Sequence, residues 1–261
     1  MRTRAGVRSA PFAALLLCSG ILLQNPPSDV QLRDGGIVRG STATRRIALE
    51  FTGHEFAEGG PVILDQLARR GARASFFLTG DFLRTPAFEP LVRRIIGEGH
   101  YLGPHSDKHL LYCAWESAGQ TLVTREAFFR DLEDNLRAIE AYGVNRGAVR
   151  YWVPAYEWYN SEIVAWSATV GLTLVNFTPG TRSNADYTGE ADRNFVSSQR
   201  ILDSILARER EDPRGLNGYL LLLHIGAGPG RTDKMHDRLG SLLDELSARG
   251  YRCVRVDELL R

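Results

Sequence analysis

From Arg46 to the end of the chain, short apolar runs alternate with longer stretches whose apolar residues recur at helical spacing. Ile47–Phe51 predicts a strand, and Pro61–Arg70 a helix that buries Val62, Ile63, Leu64 and Leu67 and stops at Gly71. A buried strand at Ala74–Thr79, a helix at Pro90–Glu98 and a short strand at Tyr101–Gly103 follow. After a longer connection, 109–124, Thr124 is placed to cap a helix running to Tyr142. Val149–Val153 predicts a strand, Ser161–Val170 a helix and Leu172–Asn176 a strand. A polar loop, 178–194, leads into a helix over Ser197–Glu211. Gly218–His224 is the most apolar run of this region, and a helix at Thr232–Arg249 and a strand at Tyr251–Val256 close it. Seven strands alternating with helices imply βα units, a parallel sheet covered on both faces, and either a barrel or a doubly wound layer. In both architectures chemistry collects at the C-terminal ends of the strands.

Ahead of this pattern the chain reads differently. Arg2, Arg4 and Arg8 precede an apolar stretch, Ala10–Leu17, and then small residues at Cys18-Ser19-Gly20. Residues 1–24 are therefore expected to be an export signal, with an uncleaved signal anchor as the alternative. Residues 25–44 are polar, glycine-rich and without period, which predicts a linker. The domain proper is expected over 45–261, in an exported setting: periplasm, cell envelope or extracellular space.

Composition narrows the function classes. With 32 basic and 31 acidic residues the net charge is +1, so no global field calls for nucleic acid or a membrane surface. Cys113 and Cys253 are the only cysteines after the signal, and no Cys-x-x-Cys is present. Zinc ribbons and thioredoxin-like redox sites are thereby excluded. Gly226-Ala-Gly-Pro-Gly230 is interrupted by Pro229 and lacks the lysine of a phosphate loop, so it is read as a flexible loop at the mouth.

The histidines carry the chemistry. His105 and His109 follow the strand that stops at Pro104. A helical turn there would set them at i and i+4 on one face, close enough to share an ion. His54 follows the first strand and His224 ends the sixth, whereas His100 and His236 fall away from strand ends. Glu55, Glu58, Asp81, Asp107, Glu157 and Asp186 lie at the same strand ends. A mixed imidazole and carboxylate set suits a borderline divalent ion such as zinc. Tyr151, Trp152, Tyr156, Trp158 and Tyr159 form a dense aromatic group that offers a sugar-stacking wall, at least two of them being expected in the core.

The order of elements resembles the NodB-like polysaccharide deacetylases over Arg46 to Leu260. Gly99-His100 to His109 is similar to that family's paired-histidine motif, Tyr151-Trp-Val-Pro-Ala-Tyr156 to its Arg-x-Pro-Tyr strand, and Leu221-Leu-Leu-His224 to its closing Leu-x-His. The resemblance implies a distorted seven-stranded (β/α) barrel and a metal-dependent hydrolase that removes an acetyl group from a glycan. By that resemblance His105 and His109 hold a divalent metal, expected to be zinc, and His224 protonates the leaving group.

The first motif departs from the family. Two aspartates are expected directly after Phe51, where this chain has Thr52-Gly53-His54-Glu55, and the arginine that would steady the base is replaced by Val153. One reading is a rebuilt site: His54 is the third metal ligand, and Glu55, Glu157 or Glu50 is the base. Alternation along the first strand turns Glu50 inward, where a carboxylate needs a partner. Tyr156, Trp158 and Arg182 are then candidate substrate contacts, and Asp186 or Arg182 a candidate partner of His224. The other reading is a non-catalytic glycan-binding barrel; hydrolysis of another non-peptide amide is a third.

Overall fold

The computed structural model describes residues 29–261; the expected export signal lies outside them. The wall of the fold is built on β3 (Arg46–Gly53), whose neighbours β4 (Ser75–Leu78) and β8 (Leu220–His224) both run parallel to it. β5 (Tyr101–Pro104) extends the sheet beyond β4, and β9 (Arg252–Val254) pairs with the first residues of β3. β6 (Tyr151–Trp152) and β7 (Thr173–Leu174) form a short parallel pair, joined to β5 where the Val153 amide donates to Pro104 O. All seven expected strands are present, those at Val149–Val153 and Leu172–Asn176 shortened to two residues each.

The segment read as a linker is corrected by the structure. Residues 31–39 form a hairpin of β1 (Gln31–Arg33) and β2 (Gly36–Arg39), turned by Asp34-Gly35 with positive φ at both positions. β2 bridges Val175 on one side and Tyr219 on the other, filling the gap between β7 and β8 and closing the distorted barrel. A side chain at Gly36 would fall 2.7 Å from Leu174 Cδ2 and 2.8 Å from the Tyr159 hydroxyl, so only glycine lets the hairpin lie this close. Arg39 locks it. Its side chain is nearly buried, pairs with Asp212 Oδ2 at 2.8 Å, donates to the carbonyls of Gly215 and Asn217, and lies over the Tyr219 ring.

Helices cover the outside: α1 (Gly60–Arg69), α2 (Gly80–Arg84), α3 (Glu89–Gly97), α4 (Arg125–Glu140), α5 (Ser161–Thr169), α6 (Ser198–Glu211), α7 (Leu239–Ala248) and the short α8 (Val256–Leu259). Thr124 caps α4, accepting from Ala127 N, as its sequence position predicts. The helix expected from Thr232 starts only at Met235, as a 3₁₀ turn, because the Thr232 and Asp233 amides are tied to the Glu190 carboxylate and the Arg231 guanidinium to the carbonyls of Thr188 and Val196. Strand alternation divides the core in two. Ile47, Leu49 and Phe51 face the helices, while Ala48 faces a smaller interior cluster with Phe77, Val153, Leu220 and Leu222. Among the described residues no helix is long and apolar enough to cross a membrane. Cys113 and Cys253 are both free thiols.

The Arg39 tie gives a stability prediction. Arg39→Ala leaves the nearly buried Asp212 carboxylate with Arg208 and the Arg214 amide but without its shortest ion pair, and is expected to lower unfolding free energy by about 3 kcal/mol in urea titrations. A loss under about 1 kcal/mol would show that the hairpin is not needed to close the wall.

Candidate active site

The register of β3 sets the floor of the site. Glu50 pairs with Ser75 and Leu222, and Thr52 with Phe77 and His224, so successive inward positions climb towards the C-terminal mouth. Glu50 is fully buried, and among the described residues neither of its oxygens has a hydrogen-bond partner; the Thr52 hydroxyl is in the same state. Burial, with the Glu157 carboxylate adding repulsion, pushes the Glu50 carboxyl up to about 8. Gly53 faces the outer layer, where a Cβ would meet Ile225 Cγ2 at 2.6 Å and Leu78 Cδ2 at 2.9 Å. The two positions where aspartates are expected thus hold a buried hydroxyl and a closed pocket wall.

Beyond β3, His54 comes to the mouth with Nδ1 3.1 Å from the Thr79 hydroxyl. Its ring stacks on His109, centroids 4.6 Å apart and planes 9° apart, and His109 lies 5.2 Å from His105. The helical turn expected over 105–109 does not form. Ser106 and His109 have φ of 69° and 55°, and this left-handed backbone, not i,i+4 spacing, brings the imidazoles together. Tyr156 and Glu157 are also left-handed, at 60° and 53°. Four of the five non-glycine residues with positive φ among those described therefore line this one mouth; the fifth, Asp34, turns the hairpin.

Such backbone persists only where neighbours over-determine it, and α4 supplies them. Asp131 accepts from the amides of Asp107 and Lys108 and from the Tyr112 hydroxyl, at 2.6 to 3.0 Å. Asn135 accepts from His105 N at 2.8 Å and donates to Leu78 O at 3.1 Å. The sequence reading missed both. Their signal is an i,i+4 polar pair inside the otherwise apolar stripe Phe128, Leu132, Leu136 and Ile139.

The electrostatics follow from burial. His105 is pushed well below the ordinary imidazole value by burial and then by His109, and His109 is pushed down to about 4 by burial and then by His54. Both rings are thus neutral, the form that binds metal. His105 Nδ1 sits 3.0 Å from Val153 O, which assigns it the proton and leaves Nε2 free for an ion. In donor type the three histidines fit a borderline divalent ion. Their ring planes do not converge, and among the described residues no three His, Cys, Asp or Glu groups form a ready ligand set.

Glu157 Oε1 lies 3.9 Å from His105 Nε2 with the side chain 10% exposed, and burial pushes its carboxyl up to about 7. Glu55 is instead 68% exposed, 4.0 Å from His54 Nε2. His224 Nδ1 meets Asp186 Oδ1 at 2.6 Å, and its amide donates to Asp186 Oδ2 at 2.9 Å. Burial opposes the imidazolium, but Asp186 and then Glu157 outweigh it, and the His224 value is raised. Tyr156 packs 4.3 Å from the His109 ring and edge-on to Trp115, which stacks on Trp158; Tyr187 lies 5.1 Å from His224. Trp115 and Tyr187, both about half exposed, were not singled out in the sequence.

A family model for polysaccharide deacetylases matches residues 39–175, more than half of the chain. The chain belongs to the polysaccharide deacetylase family. Among curated relatives, a peptidoglycan-N-acetylglucosamine deacetylase of Bacillus cereus is 23% identical over 218 residues, covering 82% of this chain and 68% of its own. A chitooligosaccharide deacetylase of Rhizobium leguminosarum bv. trifolii is 27% identical over 198 residues, 72% and 80% of the two chains. Of solved structures, a family 4 carbohydrate esterase pseudoenzyme from Bacillus anthracis superposes with a TM-score of 0.67 at 19% identity, over 88% of this chain and 70% of that one. A mutant of that protein with restored enzymatic activity superposes equally well. These likenesses establish the distorted α/β barrel of the family.

Other expected site residues fall elsewhere. Arg182 is exposed and lies in a groove with Arg193 and Arg200, away from His224, because the 3₁₀ turn Ser183–Ala185 separates it from Asp186. Trp158 is anchored by its Nε1 donating to Ala114 O, so it backs Trp115. Glu58 accepts from Lys234 Nζ and from the amides of Ala227 and Gly228, which pins the loop read as a flexible mouth. Asp107 pairs with Arg84 at 2.7 Å.

The unpartnered Glu50 makes the fold sensitive to alkali. Its folded value near 8 lies above the ordinary value of 4.5, so its contribution is intact below about pH 4.5 and is lost as pH rises through 8. Urea melts should show Glu50→Gln matching the parent at pH 5 and exceeding it at pH 9 by on the order of 4 kcal/mol. Parallel pH profiles for the two proteins would mean that Glu50 has a charge partner.

Proposed function

We propose that this protein is a metal-dependent carbohydrate deacetylase with a rebuilt base side, exported to the cell envelope or beyond. The observation that carries the reading is the meeting of His54 with His109 and His105 at the mouth, beside a buried Glu157 and an Asp186-held His224. His54, His105 and His109 would hold the ion, zinc by donor type, which when bound polarises an acyl carbonyl and an attacking water.

The remaining roles belong to side chains. Glu157 is the general base: it is the nearly buried carboxylate beside His105, and its value near 7 balances basicity against ionisation at neutral pH. Glu55, out in solvent, lacks both properties. His224 is the general acid. Asp186 fixes its Nδ1 proton and raises its value, so the imidazolium persists to donate to the leaving amine or alcohol. Tyr156, Trp115 and Tyr187 offer exposed ring faces for the sugar.

A second reading, a non-catalytic glycan-binding barrel, is favoured by the residues at the expected aspartate positions, Thr52 and Gly53. Metal analysis paired with acetate release from acetylated chito-oligosaccharides separates the two. The enzyme reading expects about one bound ion per chain, lost in His54→Ala. It also expects Glu157→Gln to keep its metal but lose turnover by at least about 100-fold, with Glu55→Gln near parental. Bound metal with no acetate from a broad panel would favour the binding barrel. In an active enzyme, Asp186→Asn removes what raises His224, so the alkaline limb of kcat/KM should move to lower pH. An unmoved limb would take the acid role from His224.

A further inference from the structure

A groove of about 500 Å³ lies away from the histidine centre, beside the first turns of α6 and the loop before them. Arg182, Arg193 and Arg200 line it, with Asn194 and a single carboxylate, Asp203. Among the described residues none of the three guanidiniums has a hydrogen bond, ion pair or ring contact; the bonds of Arg182 and Arg200 are made by their backbones. Nearby arginines behave differently: Arg208 is tied to Tyr219 and Asp212, and Arg231 to Thr188 and Val196. Asp203 is itself occupied, accepting from Gln199 Nε2 at 2.9 Å.

Three unpaired guanidiniums around one groove, against the single carboxylate of Asp203, repel one another and create a local positive field in a chain whose net charge is only +1. The helix terminus is not the source of binding groups. Two of the α6 first-turn amides, those of Ser198 and Arg200, are already taken by Asp233 Oδ2 and Ser197 Oγ. The free donors are the planar forks of the arginines, which match a carboxylate two bonds at a time. The chain links the groove to the acid side of the centre. Arg182 enters the turn Ser183–Ala185 that delivers Asp186 to His224, and four residues reach at most about 14 Å.

We propose that this groove binds a carboxylate-bearing part of the glycan, a uronate-type sugar of the same chain whose acyl group meets the histidine centre. This substrate class rests on the glycan reading above. The flat two-oxygen edge of a carboxylate matches the planar guanidinium forks, and the Asn194 amide suits a sugar hydroxyl.

The test is calorimetric titration of the full chain with an oligogalacturonate, a glycerol-phosphate oligomer and a neutral acetylated chito-oligosaccharide. The parent is expected to bind the oligogalacturonate with an affinity that falls as salt is added. Arg193→Gln combined with Arg200→Gln should weaken that binding about tenfold and leave the neutral oligomer unaffected. Equal affinity in parent and variant, no oligogalacturonate binding, or preference for the glycerol-phosphate oligomer would each overturn the proposal. Acetate release from the neutral oligomer is measured separately. Arginine-dependent uronate binding without acetate release overturns the catalytic reading and leaves the groove standing as a uronate site.

Discussion

The parallel pairing of β3 between β4 and β8 is the constraint on which the site depends. A strand's side chains alternate with a strict period of two, so a shift of one residue would send Glu50 and Thr52 to the helices and Phe51 to the interior. The pairing is held by apolar packing on both faces: Ile47, Leu49 and Phe51 against α1 and its neighbours, Ala48 against Leu220 and Leu222. With that register fixed, Thr52 stands level with His224, and His54 emerges where the strand ends. The hairpin at 31–39 completes the wall by bridging Val175, just after β7, and Tyr219, just before β8.

Burial then determines the charge of the site more than any pairing does. His105 and His109 are neutral because their surroundings penalise an imidazolium, and Glu50 and Glu157 hold protons to unusually high pH for the same reason. His224 is the exception, with a carboxylate at hydrogen-bonding distance that overcomes the same penalty. The mouth thus sets neutral donor rings beside a carboxyl pushed up to about 7 and an imidazole whose value Asp186 raises. That separation of protonation states is what acid–base chemistry on an acyl group requires. It arises without an aspartate at either position after Phe51.

The strained segments explain how the pieces stay in place. Ser106, His109, Tyr156 and Glu157 have backbone conformations that non-glycine residues adopt rarely, and each stands beside a reactive or aromatic group of the mouth. Asp131 and Asn135 secure the first pair through amides at Asp107, Lys108 and His105, and the Asn176 side chain holds Glu157 O at 2.7 Å. The cost is met by buried hydrogen bonds on α4, an element that contributes no side chain to the chemistry itself.

The order of strands and helices was legible in the sequence because it rests on local periodicity: an apolar run such as Leu220–Leu223 has few other places to go. The histidines at strand ends were legible too, since strand ends in this fold class converge. The hairpin was not, because Ile37 and Val38 are too short a run to signal a strand, although Asp34-Gly35 carries a hairpin turn signal. Sequence alternatives for the base stayed open among Glu50, Glu55 and Glu157, since spacing says nothing about desolvation. Tertiary structure separated them: Glu55 in water, Glu50 sealed below the floor, Glu157 against His105. It also moved Arg182 away from His224 and brought Trp115 and Tyr187 to the mouth, contacts made between segments far apart in the chain. Local pattern fixed which elements form, and only their packing decided which side chains share a dielectric and a distance.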